Sequence, residues 1–365
     1  MNLQKISSQQ FEKIFSDILD QKISAAQTRE ILISLNKEVY SKESFIGAVV
    51  ALKKRMVKIS APENSIDVCG TGGDKLHTLN ISTAVCFVVA AAGIPVAKHG
   101  NKAVSSLSGS ADIFSELGMK ISSDISEIEK NLNEKKLCFL FAPFFHESLK
   151  NLAEIRKSFA AEFNQPTIFN FLGPLLNPAN TKFQLIGTSR KDSMRNMLEV
   201  ASSCYVESSE TSHEILRFAQ DDRMENQNDK RYNQDEKEIQ DDKGKRIYIV
   251  HGFDGMDEIT LCADSYLLRF ENGKFFEEEI INPEKFGFKK VGIEALKGQD
   301  AKYNAQRLIA LLEGEKSAYR DIVILNAAFA FKVVGKVLKI EDGVELAVEM
   351  IDKGNGKQVL KSLIS

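Results

Sequence analysis

Ile66-Asp67-Val68-Cys69-Gly70-Thr71-Gly72-Gly73-Asp74 decides the fold. A short, mostly apolar run leads into three glycines within four residues, and after Asn80-Ile81-Ser82-Thr83 a long apolar helix is expected. Glycine permits positive φ and lets backbone N–H groups approach a ligand closely. A helix start adds unpaired donors and partial positive charge. Strand, glycine turn and helix start together make an anion cradle, best suited to phosphate. Gly-Lys-Ser/Thr is missing at the spacing a Walker loop needs, and Lys75 stands where the third glycine of a dinucleotide fingerprint would be. The bland alternative is a tight turn followed by an ordinary capped helix.

Outward from this stretch, short β-branched runs alternate with helical ones. Strands are expected at Ile66–Cys69, Pro95–Ala97, Leu137–Phe141, Phe183–Ile186 and Ile247–Val250. Helices are expected over Ser82–Gly93, Ala111–Leu117, after Phe145, and over Asp192–Ser202. That alternation predicts a mostly parallel sheet covered by helices. Ligands in such sheets bind beyond the carboxyl ends of the strands. Residues 265–280 read instead as a hairpin turning at Glu271-Asn272-Gly273. The last third returns to helices at Asn304–Leu312, Ile322–Leu338 and Val344–Ile351.

Residues 1–62 read as a block of helices closed by Pro62. Phe11, Ile14, Phe15 and Ile18 keep helical spacing, a second helix follows Ser24, and a third runs from about Ser44 to Lys58. The expected architecture is α/β, with a small N-terminal helical domain (1–62, joined by mid-chain helices) packed on a larger, mostly parallel α/β domain (63–365). Half of residues 207–246 are charged, against 27% of the chain. Such a stretch cannot offset its ordering entropy by burial. It reads as a solvated insertion ahead of the strand Ile247–Val250.

A net charge of -3 argues against a nucleic-acid binder. Apolar runs of about a dozen residues are too short to span a bilayer, and MNLQKISSQQFEKIF is not a signal sequence. Cys69, Cys86, Cys138, Cys204 and Cys262 are scattered, with no CxxC pair, so neither a disulfide framework nor a zinc site is expected. The expected location is the cytoplasm.

Three further clusters carry chemistry. Lys98-His99-Gly100-Asn101-Lys102, with Ser105, Ser106, Ser108 and Ser110 behind it, offers cations, an amide and hydroxyls to a phosphorylated ligand. Asp254-Gly255-Met256-Asp257-Glu258 follows a strand. An isolated Asp-Glu pair is usually a solvated turn, but beside two phosphate loops it suits Mg²⁺, which takes one or two carboxylates, waters and phosphates. Ala142, Pro143, His146 and Arg156 form the third; an arginine fork suits a substrate carboxylate. Gly173 lies in a stiff Gly/Pro turn, Asn170–Pro178. No nucleophile–base arrangement is present, so covalent catalysis is not expected.

Gly70-Thr71-Gly72-Gly73-Asp74, Asn80-Ile81-Ser82-Thr83, Lys98-His99-Gly100-Asn101, Thr167 through Pro178, and Asp257-Glu258 occur in an order that closely resembles the anthranilate phosphoribosyltransferase family. The resemblance runs from about Phe11 to the C-terminus, apart from 207–246. It implies a fold related to class II nucleoside phosphorylases and a homodimer. It further implies transfer of the phosphoribosyl group of phosphoribosyl pyrophosphate (PRPP) to anthranilate with Mg²⁺, in tryptophan biosynthesis. By the same resemblance, Gly70, Gly73, Asp74, Thr78, Asn80, Ser82, Thr83, Lys98, Asn101, Ser105, Ser106 and Ser110 bind PRPP. Gly70, His99, Asn101, Ala142, Pro143, His146, Arg156 and Gly173 form the anthranilate site, and Ser82, Asp257 and Glu258 hold the metal. Electrostatics and positioning would carry catalysis, with no catalytic side chain. Lys75 departs from the family's usual glycine, and the Arg156–Thr167 spacing is longer than usual. A pyrimidine nucleoside phosphorylase and a non-catalytic nucleic-acid-binding relative are the alternatives.

Overall fold

The computed structural model describes residues 6–36, 40–103, 107–163, 165, 167–203 and 244–364. A mixed sheet forms its centre. Strands β1 (Ile66–Gly70), β2 (Val96–Gly100), β3 (Leu137–Phe141), β4 (Phe183–Gly187) and β5 (Arg246–Gly252) are parallel, in the order 3-2-1-4-5. Strand β6 (Ser265–Glu271) joins β5 antiparallel, and β7 (Lys274–Phe275) and β8 (Glu279–Ile281) pair with β6. The strand order reverses between β1 and β4, which places the ligand crevice of an open α/β sheet beside Gly70. The expected hairpin turns at Asn272 (φ 51°) and Gly273 (φ 84°), the left-handed pair that matches strand twist.

Side chains alternate across the sheet. Tyr248 and Val250 enter one hydrophobic cluster, Ile247 and Ile249 the other. The first cluster lies under α4 (Ile81–Ala91), α10 (Ala301–Leu312), α11 (Ala318–Val333), α12 (Ile340–Asp352) and α13 (Asn355–Ile364). Helix α4 is apolar nearly all round and buried on all sides, as that composition requires. The second cluster gathers α1 (Ser8–Leu19), α2 (Ala25–Asn36), α3 (Lys42–Lys53), α8 (Ala153–Phe163) and α9 (Met194–Ser203) on the opposite face. Helices α5 (Ser110–Glu116), α6 (Ile125–Lys135) and α7 (Ala142–Phe145) complete the set. No described helix is long and apolar enough to cross a membrane.

Four expectations need correction. Helix α3 ends at Lys53, not Lys58, and α11 ends at Val333, not Leu338. Helices α6 and α13 were not expected; both are short amphipathic stretches, α6 rich in Glu, Lys and Asn and α13 carrying Lys357 and Lys361. The charged segment does not extend to 246. Arg246 opens β5, and Lys245 is buried, donating to the carbonyls of Ala201 (2.8 Å) and Ser202 (2.6 Å) at the end of α9. A helix C-terminus favours a cation, which is why a lysine is tolerated there. The rest of the proposed insertion, through 243, lies outside the described residues.

Candidate active site

The turn after β1 is built on left-handed backbone. Gly72 (φ 67°), Gly73 (φ 79°), Lys75 (φ 61°) and His77 (φ 52°) all lie there. Its outer wall is the loop after β4: Thr71 N–H donates to Gly187 O (2.9 Å), and Ser189 Oγ donates to Gly72 O (3.0 Å). Its floor is the acidic loop after β5. Gly72 N–H donates to Asp257 Oδ2 at 2.7 Å. A methyl group on Gly70 would collide with that carboxylate, and one on Gly187 with the Asp257 carbonyl. Gly70 and Gly187 are register partners in the sheet. These two strand-end glycines open the slot that Asp257 fills.

Glu258 sits at the start of α4. Its Oε1 accepts Ser82 N–H at 3.2 Å, capping a helix 176 residues away in sequence. The preceding Asn80 makes no side-chain cap. Its amide is engaged elsewhere: Nδ2 donates to Ser108 O, and Oδ1 accepts from Ser108 Oγ (2.9 Å) and Asn304 Nδ2 (3.0 Å). Both polar ends of Asn80, expected to contact ligand, are thus spent on holding the loops. Burial, and then the neighbouring Asp257 charge, push Glu258 up to about 8. Burial also raises Asp74 and Asp257, whose carboxyls lie side by side. Desolvation and like charge both disfavour the ionised forms of these carboxyls.

Lys98 is buried beneath this loop, 2% exposed, donating to Val68 O (2.6 Å) and Ser82 Oγ (3.0 Å). Burial opposes its charge, but Cys86, Cys69, Asp67 and Glu258 outweigh that and raise its pKa. Lys98 orients Ser82 from below. Among the other expected phosphate positions, Thr83 is buried, and Thr78 bridges to Lys297. Asn101 is exposed, and Ser110 opens α5 against Gly100. Asp112 Oδ2 accepts the N–H groups of Ala103 and Gly109, both at 2.9 Å, and so folds the second loop back on α5. Ser105 and Ser106 lie outside the described residues.

The acceptor side collects beyond β2 and β3. His99 Nδ1 lies 2.9 Å from Gly173 O, and His99 Nε2 lies 3.2 Å from His146 Nε2. A carbonyl can only accept, so His99 carries its hydrogen on Nδ1 and His146 donates from Nε2. Burial lowers His99 to about 3 and His146 to about 4, so both rings are neutral. Ala142 and Pro143 form the first turn of α7 at the end of β3, half-buried. A Cβ on Gly173 would meet open space. Arg156 on α8 lies 6.0 Å above the Phe169 ring; its buried Nε has no hydrogen-bond partner, and burial lowers its pKa. Among the described ion pairs none includes Arg156. A small cavity lined by Lys53, Leu175, Gln184 and Lys245, near the amino end of β4, contains none of these residues.

Sequence reasoning missed Gly187, Asn304 and Asn326. A glycine closing an apolar strand was the one available signal for Gly187. For Asn304 and Asn326 it was a polar residue within an apolar helix face.

The chain's similarities agree with this geometry. Residues 62–213 and 229–357 match the family model described as "Glycosyl transferase family, a/b domain". That sets the class: a glycosyl transferase of α/β fold. Anthranilate phosphoribosyltransferase of Paramagnetospirillum magneticum is 36% identical over 99% of this chain and 92% of its own. That of Novosphingobium aromaticivorans is 36% identical over 97% and 94%. The crystal structure of the Thermus thermophilus enzyme superposes with a TM-score of 0.79 at 27% identity, covering 98% of this chain and 95% of that one. The Saccharomyces cerevisiae enzyme in complex with PRPP and Mg shares the fold, with a TM-score of 0.80 at 23% identity over 99% and 93%. The chain belongs to the anthranilate phosphoribosyltransferase family.

Proposed function

We propose that this chain transfers the phosphoribosyl group of PRPP to anthranilate, giving N-(5-phosphoribosyl)anthranilate and pyrophosphate, as a step in tryptophan biosynthesis. The observation that carries this reading is the convergence of Asp257 and Glu258 on the Gly70–Gly72 turn and Ser82. Among the described residues, no three His, Cys, Asp or Glu side chains form a self-sufficient metal cage. Two carboxylates and a hydroxyl instead suit a hard cation that completes its shell with phosphate and water, which fits Mg²⁺. When bound, Mg²⁺ neutralises the charge developing on the departing pyrophosphate.

The chain's own residues do the rest. Gly73, Asp74, Thr78, Asn80, Thr83, Asn101 and Ser110 line the proposed PRPP side. Lys98 and Glu258 fix Ser82 there, from its side chain and its backbone. Arg156 receives the anthranilate carboxylate in a fork that no protein carboxylate occupies among the described ion pairs. Gly173, Ala142, Pro143 and the neutral His99–His146 pair wall the acceptor and leave Arg156 as its cation. Positioning of this kind lowers a barrier by several kcal/mol, with about 7–11 as the ceiling. The aryl amine is already nucleophilic, so no protein base is needed, and the anomeric configuration inverts. As in the family, the working form is a homodimer, which analytical ultracentrifugation tests.

The test is loss of anthranilate fluorescence in purified protein. Signal loss requiring both PRPP and Mg²⁺ supports the reading. Turnover of nucleosides with phosphate, and none with PRPP, overturns it in favour of a phosphorylase.

A further inference from the structure

Helix α11 is a run of apolar residues interrupted by one buried amide, Asn326, which is fully inaccessible. A buried polar side chain persists only where it is hydrogen-bonded. Asn326 Oδ1 accepts Ile259 N–H at 3.1 Å, and Nδ2 donates to Ile259 O at 2.9 Å. Nδ2 also donates to Ile322 O, one turn back in its own helix, at 2.9 Å. This amide reads both backbone groups of Ile259, the residue directly after Glu258. Seven residues earlier on α11, and so two turns away on the same face, Tyr319 donates its hydroxyl to Asn80 O at 3.1 Å. Asn80 precedes α4, whose Ser82 N–H binds Glu258. One rigid helix therefore grips both sides of the acidic site, about 10 Å apart along its axis.

We propose that Asn326 is a positioning residue that sets the aim of the Asp257–Glu258 pair, with Tyr319 fixing the opposing α4 entrance from the same helix. The inference rests on the reading of Asp257 and Glu258 as the metal-holding pair. Among the described residues, neither carboxylate is fixed by an ion pair to its own loop. Each accepts a backbone N–H across the site, from Gly72 and Ser82, and the backbone next to them is held from α11 by Asn326. Partners of this kind, one step removed from a metal, change affinity by about 10–100-fold when lost.

The test uses the full chain and Mn²⁺ as the probe, with free Mn²⁺ read by electron paramagnetic resonance in the presence of PRPP. Asn326→Leu keeps the γ-branched shape and removes both contacts to Ile259. The expected result is Mn²⁺ binding weakened by about 10–100-fold. The Mg²⁺ concentration for half-maximal turnover should rise in parallel, with the anthranilate KM within about twofold of wild type. If Asn326→Leu does not fold, Asn326→Asp retains the acceptor for Ile259 N–H and is measured in the same way, with the same direction expected. A variant that melts earlier but binds Mn²⁺ as wild type does makes Asn326 merely structural and overturns the proposal. Wild-type protein that binds no Mn²⁺ with PRPP overturns the metal-site reading itself, a distinct outcome.

Discussion

Gly70 and Asp257 occupy one slot: the Asp257 carboxylate fills the space that a β-carbon on Gly70 would need. This explains a glycine at the end of a strand whose own backbone is not left-handed. Gly70→Ala should push the carboxylate aside, while the strand itself tolerates alanine. A side-chain carboxylate can rotate, so the stability cost should be about 1–3 kcal/mol. The larger effect is functional, a rise in the Mg²⁺ needed for half-maximal turnover. Gly187→Ala meets the Asp257 backbone carbonyl instead, which cannot rotate away, and should unfold the protein at lower denaturant than Gly70→Ala. Chemical denaturation and a Mg²⁺ titration on both variants separate the two effects. Equal losses in both assays would refute the slot.

Arg156 is half-buried, and its Nε is buried without a hydrogen-bond partner. An unpaired buried charge costs stability, so Arg156→Ala should melt no lower than wild type. It should also raise the anthranilate KM far more than the PRPP KM. Truncating one partner of a buried charge pair costs about 2–5 kcal/mol, which corresponds to at least a 30-fold loss. Arg156→Lys should recover little, because an ammonium cannot make the paired fork. Steady-state kinetics in both substrates decides; equal changes in the two KM values would place Arg156 outside the anthranilate site.

The parts legible in the sequence were those encoded locally. The Gly70–Gly73 turn, the Asn272-Gly273 hairpin and the adjacent Asp257-Glu258 pair each announce themselves within a few residues. What stayed illegible depends on register across the sheet. Gly187 matters only because it lies opposite Gly70, and Glu258 caps α4 only because β5 returns beside β4. Asn80 was half-legible for the same reason. Its place before an apolar helix reads as a ligand contact, and the hold of Ser108 and Asn304 on its amide shows only across the fold. Lys245 and Arg246 looked solvated because a charged run surrounds them. The carbonyls that hold Lys245 lie at the end of a helix more than forty residues earlier in the chain.

Lys75 holds φ 61° in the phosphate turn. A left-handed residue other than glycine costs about 1–2 kcal/mol. Lys75→Gly removes that strain but adds about 0.4–1 kcal/mol of unfolded-chain entropy. The net should lie between about zero and about 1.6 kcal/mol of gain, read as a denaturation midpoint equal to or above wild type with unchanged turnover. Lys75→Val, β-branched at a positive φ, should lower the midpoint clearly. If glycine and valine act alike, the turn is not strained in solution.

Glu258 gives the sharpest pH signature. Its folded-state value of about 8 lies above the 4.5 of an ordinary glutamate, so the folded, ligand-free chain binds a proton that the unfolded chain releases. Stability rises with pH only where the unfolded state holds more protons; here it holds fewer. Glu258's contribution is therefore complete below about pH 4.5 and lost progressively up to about pH 8. Glu258→Gln keeps the shape without the charge. Its melting temperature should match wild type near pH 5 and exceed it at pH 8, by roughly 1–2 °C per kcal/mol in a chain of this size. The same variant should lose Mg²⁺-dependent turnover. Saturating Mg²⁺ with PRPP should stabilise the wild type most at high pH, because the metal takes the ionised carboxylate. Melting curves at pH 5, 6.5 and 8 test this; a wild-type minus variant difference that stays flat with pH would show that the carboxyl is not held protonated.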